Sequence, residues 1–493
     1  MSTPVAAVDL GATSGRVMLG CVGHNELSIR PVARFPNTPV REAGGLHWNI
    51  LELYRSVLAG LAAAAREEPG LGSIGIDTWA VDYALLRVGR MLGTPFHYRD
   101  ERTAAGVEAT HALVSARELY AANGLQHLPF NTLFQLAADR EAGTIDSADR
   151  MLLIPDLLGY WLTGRQVAER TNGSTTGLLN VSTREWDDAL IERVGLPRGI
   201  LPDLVDPGDR VGPLLASVRT ELGISRLVDV IAVGSHDTAS AIVAVPATTE
   251  NFAYISCGTW GLVGVELEHP VTTDAARAAN FTNEGGVDGR VRFLHNVMGL
   301  WLLSESVRTW ESEGHTIDLP ALLDAATAVT TPIAVFDAND PSLLAPGDMP
   351  SRIAQLCRGR GEPIPASMAE FVRSIIESLA DAFAAAVRSA SELSGQRVDV
   401  IHLVGGGSQN TLLCRLIADR AGLPVLAGPV EATAIGNVLI QSRTLGAVSG
   451  DLESLRAVVA ASFPPLLHAP RTAVSSRENP GSPQPPRGPT LDP

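Results

Sequence analysis

The chain has 493 residues, 45% of them hydrophobic and 19% charged, with 38 basic against 54 acidic side chains and a formal net charge of −16. That composition belongs to a globular protein with room for two or three domains, and it excludes disordered chains and small disulfide- or metal-stapled folds. Every basic residue is arginine, since the sequence contains no lysine, which excludes a P-loop, a pyridoxal Schiff base and the phosphate lysine of protein kinases.

The acidic excess repels a phosphate backbone, and no run of five basic residues interrupts it, so no nucleic-acid partner is expected. Cys21, Cys257, Cys357 and Cys414 are scattered without a CxxC pair, which predicts reduced thiols and a cytoplasmic protein. The N-terminal MSTPVAAVDLG has neither a basic nor an extended apolar segment, and no window reaches the roughly 18 apolar residues of a membrane helix. Neither secretion nor a membrane partner is expected.

In chain order, short apolar runs at 5–10, 74–78, 228–233 and 401–404 predict strands, and Ala-rich stretches at 51–66 and 368–393 predict helices. Their alternation predicts α/β layering. Two strand-turn-strand units, AAVDLGATSGRVMLG and NFAYISCGTWGLVGVEL, suggest a duplicated architecture. A boundary after the Ala-rich ASAIVAVPA gives one domain at 1–244 and a second at 245–468, and the Pro/Gly-rich end predicts a disordered tail at 469–493.

Four motifs carry chemistry. In the first, Asp9 closes a strand and Gly11 to Arg16 form a turn whose amides, with the Thr13 and Ser14 hydroxyls, can bind phosphate oxygens; a plain hairpin turn uses the same residues. Asp9 suits a hydrated Mg²⁺, an ion that takes few protein carboxylates. The second, Ser256 to Gly261, echoes the first, and two such tips facing each other can grip a polyphosphate. Cys257 at this tip reads as a buried thiol rather than a nucleophile, having no His or Arg neighbour in sequence. The third, Gly405-Gly406-Gly407 after a strand, permits close approach to a ligand or makes a tight strand-to-helix connection, and it is not the GxGxxG dinucleotide fingerprint. In the fourth, Ser235, His236 and Asp237 are consecutive and cannot form a hydrolase relay, which leaves Asp237 as a helix N-cap or as a general base for a substrate hydroxyl. Trp79 and Trp301 can stack on a sugar or sit in the core, and Arg99, Asp100, Arg102 and Thr103 can bind hydroxyls or form a solvated face. His47 and His97 receive no role.

Together, VDLGATSGRVML, SIGIDTWAVDYALL, YRDERT, LPFNTLFQL, SHDTASAIVA, NFTNEGG, NVMGLWLL, HLVGGGSQNTLL and AGPVEATAIGN resemble the FGGY family of carbohydrate kinases, from Val5 to Asn437 and in family order. The resemblance implies an α/β, two-domain actin-like ATPase fold, a duplicated ribonuclease H-like plan, with the active site in the interdomain cleft. It implies that Ala12, Thr13, Ser14, Gly15, Arg16, Thr259 and Gly406 contact ATP, that His236, Asp237, Thr238 and Asn296 hold a ketose with Asp237 as proton acceptor, and that Asp9 binds Mg²⁺ through water. Two positions depart from the family branch acting on L-rhamnulose, the branch it resembles most: Ala80 stands for a sugar-side glycine and Ser304 for a nucleotide-contacting glutamine. The expected reaction is transfer from ATP to the 1-hydroxyl of L-rhamnulose, by a monomer or small homo-oligomer. L-fuculose or L-xylulose are the alternative substrates, and a non-catalytic sugar or nucleotide sensor is the alternative function, against which Asp237 beside His236 argues.

Overall fold

The computed structural model describes residues 3–23, 26–42 and 44–471; the predicted tail beyond 471 lies outside them. Strand β1 (Val5–Leu10), buried along its whole length, turns at Gly11 into antiparallel β2 (Ser14–Val22), and β3 (Leu27–Pro36) continues the meander. Helix α1 (Ile50–Glu67) buries Ile50, Leu53, Val57, Leu61 and Ala64, spaced three or four apart on one face, and returns the chain to β4 (Ser73–Thr78), parallel to β1. After an insertion of helices and short strands, β5 (Arg210–Pro213) and β6 (Asp229–Ile231) complete a sheet ordered β5-β6-β4-β1-β2-β3, and helix α2 (Asp237–Val243) follows.

The second half repeats the plan. Strands β7 (Phe252–Cys257) and β8 (Trp260–Leu267) form a hairpin that β9 (Thr282–Gly285) and β10 (Val291–Met298) extend, all antiparallel. Helix α3 (Met368–Ser394) starts in a capping box of Ser367 and Glu370 and ends at Gly395, whose φ of 74° closes the helix as a left-handed residue; it leads to β11 (Val400–Val404), parallel to β7. Helix α4 (Thr411–Ala421), capped by Asn410, leads to β12 (Val425–Ala427), parallel to β11. An antiparallel meander followed by parallel strands in each half is the duplicated ribonuclease H-like plan.

Helix α5 (Ala432–Thr444) comes from the second half, yet it packs against β1, β2, β4 and α2 of the first, before β13 (Leu466–His468) ends the second sheet. The close crossing depends on Gly436, where a Cβ would lie 1.8 Å from the Ser240 carbonyl oxygen on α2. Gln441 fixes the register of α5 on the sheet, accepting from Ser73 Oγ at 2.7 Å and donating to the Ala6 carbonyl at 3.1 Å. The carboxyl ends of β1, β4, β7 and β11 thereby face one cleft between the halves.

Candidate active site

The cleft has a volume of about 560 Å³ and takes its walls from both halves. Asp9, Ala12, Thr13, Ser14 and Arg16 line it from the β1-β2 tip, Thr259 from the β7-β8 tip and Gly406 from the glycine run. Ala80, His236, Asp237, Thr238 and Asn296 line the part around the start of α2. Gly15 and Ser304 are outside this lining. Gly15 is buried beneath its tip, where a Cβ would meet Phe35 at 2.3 Å and Leu10 at 2.7 Å. Ser304 is exposed on the helix Trp301–Ser312. The start of that helix is tied to the Thr259 carbonyl by the amides of Gly299 and Trp301, and a serine one turn further on is too short to reach back.

Asp9 and Asp77 are register partners on parallel β1 and β4. Arg16 donates to Asp9 Oδ2 through Nη2 at 2.6 Å and Nε at 2.8 Å, and its Nε is 3.3 Å from Glu431 of the second half, which also accepts from Arg34. Asp77 Oδ2 accepts from Asn437 at 2.6 Å, while its buried Oδ1 has no hydrogen-bond partner. Burial raises the pKa of Asp9 and raises that of Asp77 well above the carboxylate range, and repulsion among Asp9, Asp77 and Asp237 adds to both. Asp77 is fully buried behind the cleft-lining Asp9, and a buried, unpartnered carboxylate oxygen beside a second carboxylate fits a divalent cation. Among the described residues, no group of three or more His, Cys, Asp and Glu is arranged to hold a metal ion. Asp77 is absent from the sequence-derived site, although the signal was there: it is the acid near the end of the buried strand SIGIDT, as Asp9 is in VAAVDL.

A β-bridge between Thr78 and His236 sets the start of α2 beside the end of β4. His236 occupies the N-cap position without a side-chain cap bond, and Asp237 is the first helical residue, so the ordinary capping role is not taken by Asp237. Thr238 Oγ1 donates to Asp237 Oδ1 at 3.1 Å, and His236 Nε2 is 3.5 Å from the same oxygen. Across the cleft, the amide and the side-chain nitrogen of Asn296 both donate to Gln126 Oε1 at 2.9 Å, joining the two halves. Gln126 carries no recognisable sequence motif.

Trp79, Tyr98, Phe130 and Trp260 form an aromatic wall of the cleft. Its anchor is Asp82, whose Oδ2 accepts from Trp48 at 2.6 Å, Trp79 at 3.0 Å and the Tyr98 amide at 3.1 Å, while Oδ1 accepts from Gln135 at 2.9 Å. Burial pushes the Asp82 carboxyl up to about 6 despite these donors. Trp301 is core: Arg99 lies 4.0 Å over its ring and donates to the Leu344 carbonyl, bridging the halves. Asp100 accepts from the Leu46 amide and Arg102 pairs with Asp139, so these residues brace the loop rather than line the cleft. Cys257 is fully buried, its thiol pushed up to about 12 by burial, which makes it inert as a nucleophile.

Two family profiles divide the chain: the N-terminal domain of the FGGY family of carbohydrate kinases matches residues 5–244, and the C-terminal domain of that family matches 253–445. This chain belongs to the FGGY family of carbohydrate kinases. The kinase is 40% identical over 468 residues to a rhamnulokinase of Bacteroides thetaiotaomicron, covering 94% of this chain and 95% of that one. It is 41% identical over 472 residues to a rhamnulokinase of Pectobacterium atrosepticum, covering 95% and 93%. Among solved structures its fold is similar to ligand-bound xylulose kinase from Lactobacillus acidophilus, with a TM-score of 0.76 at 17% identity over 95% of this chain and 94% of that one. It is also similar to Plasmodium falciparum glycerol kinase with ADP, with a TM-score of 0.73 at 15% identity over 95% and 94%. As a member of this family it is an ATP-dependent carbohydrate kinase, and among its described residues no helix is long and apolar enough to cross a membrane.

Proposed function

We propose that this kinase transfers the γ-phosphoryl group of ATP to the 1-hydroxyl of L-rhamnulose, giving L-rhamnulose 1-phosphate and ADP. The observation that carries the substrate is the near full-length similarity, at 40% and 41% identity, to the two rhamnulokinases. The observation that carries the chemistry is the start of α2, which sets Asp237 in the cleft between the two hairpin tips.

In this reading Thr13, Ser14 and the amides of the first tip bind the phosphates from one side, and Thr259 and Gly406 bind the nucleotide from the other. Asp237 opens the first turn of α2 and lines the same cleft. The carboxylate accepts the proton of the ketose hydroxyl, the hydroxyl oxygen bonds to the γ-phosphorus, and the bond from phosphorus to the β-γ bridging oxygen breaks, releasing ADP. His236, Thr238 and Asn296 orient the sugar, and Ala80 with Trp79 shapes the adjoining wall. Asp9 and Asp77 would hold Mg²⁺, which neutralises phosphate charge when bound. Arg16, the only cation in hydrogen-bonding contact with Asp9 among the described residues, supplies fixed positive charge at the same tip. The four free cysteines fit a reducing compartment that supplies ATP, the cytoplasm.

The test is ADP release with ATP, Mg²⁺ and L-rhamnulose, L-fuculose or L-xylulose, against a control without sugar. A kcat/KM for L-rhamnulose at least about tenfold above the others, about 1.4 kcal/mol of discrimination, supports the assignment. A higher value for another ketose overturns the substrate, and ADP release independent of sugar overturns the kinase reaction proposed here. Asp237→Asn is expected to abolish transfer and leave ATP binding intact by calorimetry; near-normal turnover in that variant sinks the role of Asp237.

A further inference from the structure

Beneath His236 lies a charged pair that the reaction above does not use. Glu284 on β9 and Arg292 on β10 are register partners across the two strands, 6% and 0% exposed. Arg292 Nε donates to the Gly285 carbonyl at 3.0 Å, which fixes the guanidinium plane. Its Nη2 lies 3.0 Å from His236 Nδ1 and 3.1 Å from Glu284 Oε2. The pair belongs to the second half and His236 to the first, so the contact spans the cleft.

We propose that Arg292, with Glu284 as its counter-ion, is a positioning residue for phosphoryl transfer, which fixes His236 with its proton on Nε2 and so orients Asp237. The argument rests on reading Asp237 as the base, and it runs from hydrogen-bond chemistry. A guanidinium has donors and no acceptor, so the 3.0 Å contact at Nδ1 uses the ring lone pair and leaves the proton on Nε2. The opposite tautomer would send Nδ1-H to Glu284 Oε2, which is 3.3 Å away and accepts no hydrogen bond. Glu284 remains ionised: burial alone would raise its pKa, but the Arg292 guanidinium 3.1 Å away holds it below the usual range.

The consequence lies on Asp237. With the proton on Nε2, the ring presents its N–H 3.5 Å from Asp237 Oδ1, the oxygen that accepts the Thr238 hydroxyl at 3.1 Å, and Oδ2 is left for the substrate hydroxyl. One carboxylate oxygen is thus held and the other works. Because the donor to His236 comes from the opposite half, Asp237 is fully oriented only when the halves meet, which couples the base to closure of the cleft.

The tautomer can be read without turnover. In the full-length chain labelled with ¹⁵N-histidine, long-range ¹H-¹⁵N correlations, with His236 assigned by loss of its signals in His236→Asn, are expected to show a proton on Nε2. A proton on Nδ1, or exchange between the two, overturns the proposal. In kinetics, Arg292→Met is expected to lower kcat by about 10- to 100-fold with the KM for ATP within about twofold, and Arg292→Lys to recover most of that loss. The ¹⁵N-histidine spectrum, read in the parent chain, keeps the test decisive even if an Arg292 variant misfolds. If Asp237→Asn keeps its turnover while the Nε2 proton is observed, the base assignment fails and the geometry at His236 stands.

Discussion

Gly436→Ala tests whether the helix crossing beneath the cleft places Asp237, the proposed base. The new Cβ would sit 1.8 Å from the Ser240 carbonyl oxygen and 2.6 Å from its carbon, both backbone atoms, so no rotamer change relieves the clash. To restore ordinary contact near 3.4 Å, α5 and α2 must part by roughly 1.6 Å. Such overpacking costs about 1–3 kcal/mol, and the higher helix propensity of alanine returns up to about 1 kcal/mol. The backbone clash puts the net loss near 2 kcal/mol, a fall in Tm of about 4 °C. Ser240 is three residues beyond Asp237 on α2, so the shift also moves this proposed base, and a displacement of about 1 Å is enough for a loss of about 100-fold in kcat. Thermal denaturation followed by circular dichroism and steady-state ADP release measure the two effects. Gly159→Ala is the control, in the helix Ile154–Thr163, where a Cβ meets nothing within 4 Å; it is expected to be neutral or to stabilise by about 0.5–1 kcal/mol. A Gly436→Ala protein with the Tm and kcat of the parent would refute the claim that this crossing sets the catalytic geometry.

Gln126→Ala removes the acceptor of both Asn296 nitrogens and is expected to raise the ketose KM by about tenfold, with the KM for ATP unchanged; equal rises in both would show general damage instead. Asp82→Asn tests the buried anchor of the aromatic wall through pH. Because the folded-state value of about 6 is above the ordinary 3.8, the folded form holds the proton more tightly, and stability from this group is full below pH 3.8 and is lost as the pH rises through 6. Relative to Asp82→Asn, which has no such proton, the unfolding free energy of the parent is expected to fall by about 3 kcal/mol across that window and to stay level above it. Urea titrations of the two proteins at pH 4, 5, 6 and 7 measure the difference, and a pH-independent gap contradicts the assigned shift.

The fold was legible in the sequence wherever local pattern and burial agree. The run at 5–10 forms β1 at the same bounds, the run at 74–78 becomes Ser73–Thr78, and the helices expected at 51–66 and 368–393 span Ile50–Glu67 and Met368–Ser394, because these segments carry complete periodic apolar faces. The run at 228–233 shortens to Asp229–Ile231, since the chain leaves the sheet to enter the turn before α2. Both hairpin tips, the glycine run and the segment from His236 to Thr238 were legible because turns and strand ends write their chemistry in consecutive residues.

What the sequence determined by itself is therefore the layered, duplicated fold, the exclusion of lysine chemistry and the motifs proposed here to bind phosphate and supply a base. Only the tertiary structure decided which residues meet across the cleft. Asp77 joins Asp9 through parallel strand register, Gln126 reaches Asn296 from 170 positions away, and Arg292 reaches His236 from 56. It also put Gly15 beneath its turn and Ser304 outside the cleft lining, two positions that the family resemblance aligns with the nucleotide. The physical reason is that periodicity and turn chemistry act between neighbours in the chain, whereas a buried carboxylate, amide or guanidinium takes its partner from whichever strand the packing of two sheets and the α2-α5 crossing brings within about 3 Å.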